Sequence, residues 1–228
     1  MSDHLPRLEE LDRDGAIQEA AAKVDGSTRA AFLRKAGVGV GVVMGGGAFA
    51  GVLPSLARGA TLPAGDVDIL NFALTLEYLE AAFYAEAKGT GALTDKDTIR
   101  FAHVVSQHEA DHVAFLKKAL GSKAVAQPKF DFKGTTHDQA KFQATADALE
   151  ATGVHAYLGQ AGNIKTKAIL LAAAKILPVE ARHHAWIRDI RFAGGTTSAS
   201  TPAPAPFENG ASKAVILGRV KATGFIQP

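Results

Sequence analysis

Gln107-His108-Glu109-Ala110-Asp111-His112 sets a carboxylate and an imidazole three residues apart. On an α-helix that spacing turns about 300°, so Glu109 and His112 share nearly one face. Glu180-Ala181-Arg182-His183 repeats the arrangement 71 residues later. A single Glu-x-x-His is usually no more than a solvated helix face. Two copies gain weight when each has a carboxylate partner on another helix, and both do. Leu76-Glu77 precedes Tyr84 and Leu149-Glu150 precedes Tyr157, each reading Leu-Glu-x6-Tyr. The separations are also matched: 32 residues from Glu77 to Glu109 and 30 from Glu150 to Glu180.

The flanking sequence reads as helices. Asp66 is the expected N-cap of a helix over Val67–Lys88, with Gly89 as its stop. Leu70, Leu74, Glu77, Ala81 and Tyr84 then form one stripe. A carboxylate within that apolar stripe needs a partner, because an unpaired buried charge is very costly. A second helix opens at Thr94-x-x-Asp97 and runs to Leu120, before Gly121. Residues 121–136 are too long and irregular for a tight helical hairpin and suit a crossover. Thr136-x-x-Gln139 is a capping-box signal for a third helix reaching about Gln160. Gly162-Asn163 turns the chain into a fourth, Thr166 to about Phe192. Pro178 lies inside it, so the helix is expected either to kink or to break at Leu177. Residues 194–206 form a Pro-rich linker. Ala211–Ala222 then reads as a short amphipathic helix ending in Gly224-Phe225-Ile226, able to fold back on the bundle or to self-associate.

Two helices each carrying a Glu, and two each carrying Glu-x-x-His, resemble the ferritin-like superfamily of di-iron and di-manganese carboxylate proteins. The segment Asn71–Tyr84, with Pro206-Phe207, is similar to the branch named after plant desiccation-related proteins. The resemblance spans about 66–226. It implies an all-α fold: a ferritin-like four-helix bundle over 66–193, up-down-down-up with one long crossover connection, and a short C-terminal helix within 194–228. It also implies a dinuclear centre of two iron or manganese ions, which an oxygen-rich donor set with two nitrogens suits. Glu77 and Glu150 are then the terminal ligands, Glu109 and Glu180 the bridges, and His112 and His183 the nitrogen donors. These six residues are the metal-binding and catalytic candidates.

Glu80 competes with Glu77 from three residues on; the matching Leu-Glu-x6-Tyr of both halves favours Glu77. Tyr84 and Tyr157 fall about 20° from their glutamates and can hydrogen-bond within the site, or be ordinary core aromatics. Asp111 and Arg182 occupy equivalent places and can orient the imidazoles, although solvated positions suit them better. His103, His108, His137, His155 and His184 have no counterparts in the other half and read as surface or core residues, His108 and His184 adjoining ligands. Trp186 reads as core.

The 228 residues allow one good-sized domain plus appendages. With 47% hydrophobic and 21% charged residues the composition is globular. A net charge of +2, and no basic patch interleaved with aromatics, give no sign of a nucleic-acid partner. The absence of cysteine removes thiolate metal sites, disulfides and any rubredoxin-like iron module, so electrons must come from outside. Redox-active ions held by carboxylates suit an oxidoreductase, catalase-like or ferroxidase-like, with peroxide, O2 or Fe(II) as small substrates. The alternative is a non-catalytic structural or desiccation-protective protein; an iron-storage cage fares worse. A homo-oligomer is compatible with either reading.

Residues 1–57 read as an export signal. Ser27-Thr28-Arg29-Ala30-Ala31-Phe32-Leu33-Arg34-Lys35 leads into the small apolar run Ala36–Leu56. It resembles a twin-arginine signal in which Ala30 stands where the second Arg is expected. Small-x-small sites place cleavage after Ala50 or Ala57. The implied location is periplasmic, cell-envelope or extracellular in a bacterium, with a membrane anchor over 36–57 as the alternative.

Overall fold

A computed structural model describes residues 62–227; the export and anchor expectations for 1–57 lie outside them. Four long helices follow one another: α1 (Ala64–Thr90), α2 (Lys96–Leu120), α3 (Gln139–Ala161) and α4 (Lys167–Arg191). A shorter α5 (Lys213–Thr223) follows. Among the described residues no helix is long and apolar enough to cross a membrane.

Short loops make α1/α2 and α3/α4 antiparallel hairpins, and residues 121–138 connect the two pairs. Contacts between the pairs give the remaining directions. Tyr84 of α1 meets Glu150 of α3, while Glu77 meets Tyr157. The residue numbers rise on one helix as they fall on the other, so α1 and α3 are antiparallel. His112–Glu180 and Glu109–His183 give the same result for α2 and α4. The bundle is therefore up-down-down-up.

The helix ends differ from the sequence expectations. Asp66 does not cap α1, which starts two residues earlier behind Pro63. Its buried carboxylate instead accepts from the backbone N–H groups of Lys165 (2.9 Å) and Thr166 (2.8 Å), capping the entry to α4. Burial works against that charge, but the two N–H groups outweigh it and hold the carboxyl below its usual range. α1 also runs through Gly89 and stops at Gly91, whose φ of +70° needs no Cβ. Asp95 caps α2, and Asp138 caps α3 in place of Thr136. The Gln139 amide oxygen reaches across to the N–H groups of Thr94 and Asp95. α4 passes through Pro178 as one segment and is not broken at Leu177. Pro178 and Ala174 are both exposed, so water can reach the carbonyl that the proline leaves without a donor.

The C-terminal segment folds back on the bundle. Ile216, Val220 and Phe225 are buried in the same core as Phe83, Phe101 and Phe142. Gly159 makes the approach possible: a Cβ there would lie 2.0 Å from the carbonyl oxygen of Ala211. Phe130 of the crossover pairs with Ile226 in an isolated antiparallel bridge, and Asn71 clamps the crossover through Lys123 O and Val125 N, each at 2.9 Å.

Candidate metal centre

Halfway along the four long helices the apolar core gives way to charge. Glu77, Glu109, Glu150 and Glu180 are each at most 1% exposed, and His112 and His183 each 3%. Each long helix contributes through its inward stripe, and α2 and α4 contribute twice because Glu-x-x-His returns to the same face.

His112 Nδ1 lies 3.2 Å from Glu77, 3.1 Å from Glu109 and 3.2 Å from Glu180. His183 Nδ1 lies 3.1 Å from Glu109 and 3.2 Å from Glu150. Several of these approaches lack hydrogen-bond alignment. Glu109 Oε1, Glu150 Oε2, both Glu180 oxygens and His183 Nδ1 are buried with no hydrogen-bond partner. Unsatisfied buried polar atoms normally cost 1–3 kcal/mol or more apiece. Four of these five still face an oppositely charged group at 3.1–3.2 Å, but out of line for a hydrogen bond, an arrangement that a ligand set between the groups would use better.

The donors fall into two groups, each with ligand atoms within 4.8 Å of one another. One is Glu77, Glu109, His112 and Glu180; the other is Glu109, Glu150, Glu180 and His183. Glu109 and Glu180 belong to both. The buried carboxylate and histidine groups could hold a metal ion.

Burial raises the Glu109 carboxyl to about 7, aided by the nearby charge of Glu77. Glu180 is also raised well above the carboxylate range, by burial and then by Glu109 and Glu77. Burial works against charge on both imidazoles, but the surrounding carboxylates prevail. His183 is pushed up to about 10, with Glu150 the largest attraction, and His112 is raised as well, chiefly by Glu77. The carboxylates thus favour the charged form of both imidazoles.

Tyr84 donates to Glu150 Oε1 and Tyr157 to Glu77 Oε1. Each tyrosine thus serves the glutamate of the other half. Glu77 belongs to a donor group, whereas Glu80 belongs to neither. Glu80 is nonetheless 3% exposed, and burial with the charges of Glu180 and Glu150 raises it well above the usual range. Gly153 on α3 leaves room for both: a Cβ there would stand 2.7 Å from Glu180 Oε2 and 3.4 Å from Glu80 Oε1.

Asp111 and Arg182 do not orient the imidazoles. Asp111 accepts from Gln107 at 3.2 Å, and Arg182 is exposed. His108 takes that place, its Nδ1 lying 2.8 Å from His183 Nε2 with the two rings edge to edge and nearly coplanar. It has no counterpart in the other half, so the internal repeat gave no signal for it. His184 pairs with buried Asp147 at 3.0 Å, which also binds Arg191. Trp186 packs edge-on against Phe101, while His103 and His137 are exposed.

The model of the ferritin-like domain family matches residues 65–193, which contain every donor and all four long helices but for the first residue of α1. No curated protein matches the chain.

Proposed function

We propose that this chain, which belongs to the ferritin-like domain family, holds two iron or manganese ions and acts as an oxidoreductase on peroxide, O2 or Fe(II). The sharing of Glu109 and Glu180 between two four-residue donor groups carries the reading. Glu77 and His112 would serve one ion, Glu150 and His183 the other, with Glu109 and Glu180 bridging. The five buried atoms that make no hydrogen bond support this, since coordination would engage them.

When bound, such ions supply Lewis acidity and exchangeable electrons. The chain's own residues bind and orient. Tyr84 and Tyr157 hold one oxygen each of Glu150 and Glu77 and leave the other, Oε2, facing an imidazole. His108 engages His183 Nε2 and so directs Nδ1 into the cluster. The imidazoles must lose their protons before they can coordinate, so uptake releases protons and weakens as pH falls. Four carboxylates with two neutral imidazoles offset the charge of two divalent ions, which a buried site requires.

A chain without cysteine sustains most easily a reaction with no dedicated donor, such as disproportionation of peroxide or oxidation of Fe(II) itself. Placement in the desiccation-related branch, and export through residues 1–57, belong to the same proposal. A metal-free protective role is the second reading. It draws on the three carboxylates that face His112 at 3.1–3.2 Å as a polar network of the protein's own.

The test loads the protein separately with iron and with manganese. Ions per chain and consumption of peroxide and O2 are measured beside His112→Ala/His183→Ala. The proposal expects up to two ions per chain and turnover lost in the variant. Equal, negligible rates in both proteins, with no metal taken up under either loading, would favour the protective role.

A further inference from the structure

The two donor groups match in their carboxylates but not in how their imidazoles are held. Glu109 and Glu180 serve both, and a tyrosine holds one oxygen of each remaining glutamate, Glu77 and Glu150. His183 is fixed from behind. Its Nε2 lies 2.8 Å from His108 Nδ1, while its Nδ1, facing Glu109 and Glu150, makes no hydrogen bond. His112 is held the opposite way. Its Nδ1 is engaged by Glu77 at 3.2 Å and Glu109 at 3.1 Å, and its Nε2 has no hydrogen-bond partner among the described residues. The sequence accounts for the difference: His108 precedes Glu109 where Val179 precedes Glu180, and a valine side chain neither donates nor accepts.

Both contrasts favour the same side of the cluster. An imidazole that coordinates through Nδ1 carries its proton on Nε2. On His183 that N–H donates to His108 Nδ1, which fixes the tautomer, aims the ring and makes Nδ1 a stronger ligand. Loss of such an outer partner weakens metal binding about 10–100-fold. On His112 the same N–H has no acceptor among the described residues, and Nδ1 must first give up its hydrogen bonds to two carboxylates.

We propose that the centre is unequal: the ion held by Glu109, Glu150, Glu180 and His183 binds first and more tightly, and His108 is the positioning residue that makes it so. The second ion rests on the dinuclear reading; the first does not.

Mn(II) added to the metal-free full chain in one equivalent tests the order. A single equivalent shared by two positions that differ 10–100-fold in affinity divides roughly threefold to tenfold in favour of the tighter one. Crystals measured at the manganese edge should show that division, with the stronger peak beside His183, and a second equivalent should fill the position beside His112. His108→Val, which copies the other half, is expected to divide the ion evenly. In calorimetric titration it should weaken the tighter dissociation constant at least about tenfold and leave the weaker one unchanged. His108→Asn, whose amide oxygen stands near the place of Nδ1 and can accept from His183, should restore the preference. Circular dichroism checks that each variant folds, and the wild-type division stands as a test without them. Even division in the wild type, a stronger peak beside His112, or an unchanged preference in folded His108→Val overturns the proposal. A preference lost in His108→Val and not restored in folded His108→Asn assigns the effect to packing and overturns the role of His108. Mn(II) confined to the His183 side at every loading would support the inference and refute the dinuclear reading, whereas no ion in the cluster at any loading overturns both.

Discussion

Glu180 has two buried oxygens without a hydrogen bond, faces Glu109 and Glu77, and has its carboxyl raised well above the ordinary range. Between the usual value near 4.5 and the raised one, the folded protein keeps a proton that the unfolded chain releases. Stability of the metal-free protein therefore falls as pH rises through that window. Glu109, raised to about 7, acts in the same direction. His183, raised to about 10, adds stability below the ordinary histidine value near 6.5 that is lost as pH climbs to about 10. Metal-free protein should thus show a falling Tm from pH 5 to pH 9. Glu180→Gln, which imitates the protonated acid, should match wild type near pH 5 and exceed it at pH 9. Thermal melts in chelator across that range make the comparison, and a wild-type Tm that rises with pH would contradict it. The donors themselves were legible in the sequence because Glu and His keep their identity at fixed spacings. The crossed Tyr84–Glu150 and Tyr157–Glu77 pairs were not, because they depend on α1 and α3 running antiparallel. Glu77 and Glu80, three residues apart, both face inward, so periodicity alone could not rank them.

The ends of α1 and α4 meet at Asp66, and a local reading of the chain misassigns that residue. Asp before an apolar periodic run is a standard N-cap signal, yet the carboxylate serves backbone 99 and 100 residues away. Asp66→Ala would leave two N–H groups at the α4 entry without their acceptor. Urea unfolding should show a loss of about 2 kcal/mol or more. Asp95→Ala, an exposed local cap at the start of α2, should lose clearly less. Equal losses would mean that the long-range cap contributes no more than a local one. Helix existence was readable throughout, since long apolar stripes bounded by Gly and Asx residues leave few alternatives. Cap identity was not, because tertiary packing decides which backbone groups a carboxylate can reach. Gly159 has the same character: it reads as a weak point in α3, and only the Ala211 carbonyl lying against it explains why no side chain fits.

Across the whole molecule, an energetically unfavourable centre is enclosed by a large apolar frame. Aromatic stacking such as Phe83 on Phe142 at 5.2 Å, together with the returning C-terminal helix, stabilises a bundle that tolerates four carboxylates at its middle. An ion that binds only the folded state adds about 2.7 kcal/mol at a hundredfold excess over Kd, and here it would also relieve the repulsion among the glutamates. Crystals reconstituted with iron or manganese and measured at the corresponding absorption edge test this directly. The account predicts two anomalous peaks roughly 4 Å apart. One should lie among Glu77, Glu109, His112 and Glu180, the other among Glu109, Glu150, Glu180 and His183. A single peak, peaks outside the cluster, or no peak after loading with either metal would contradict the dinuclear centre.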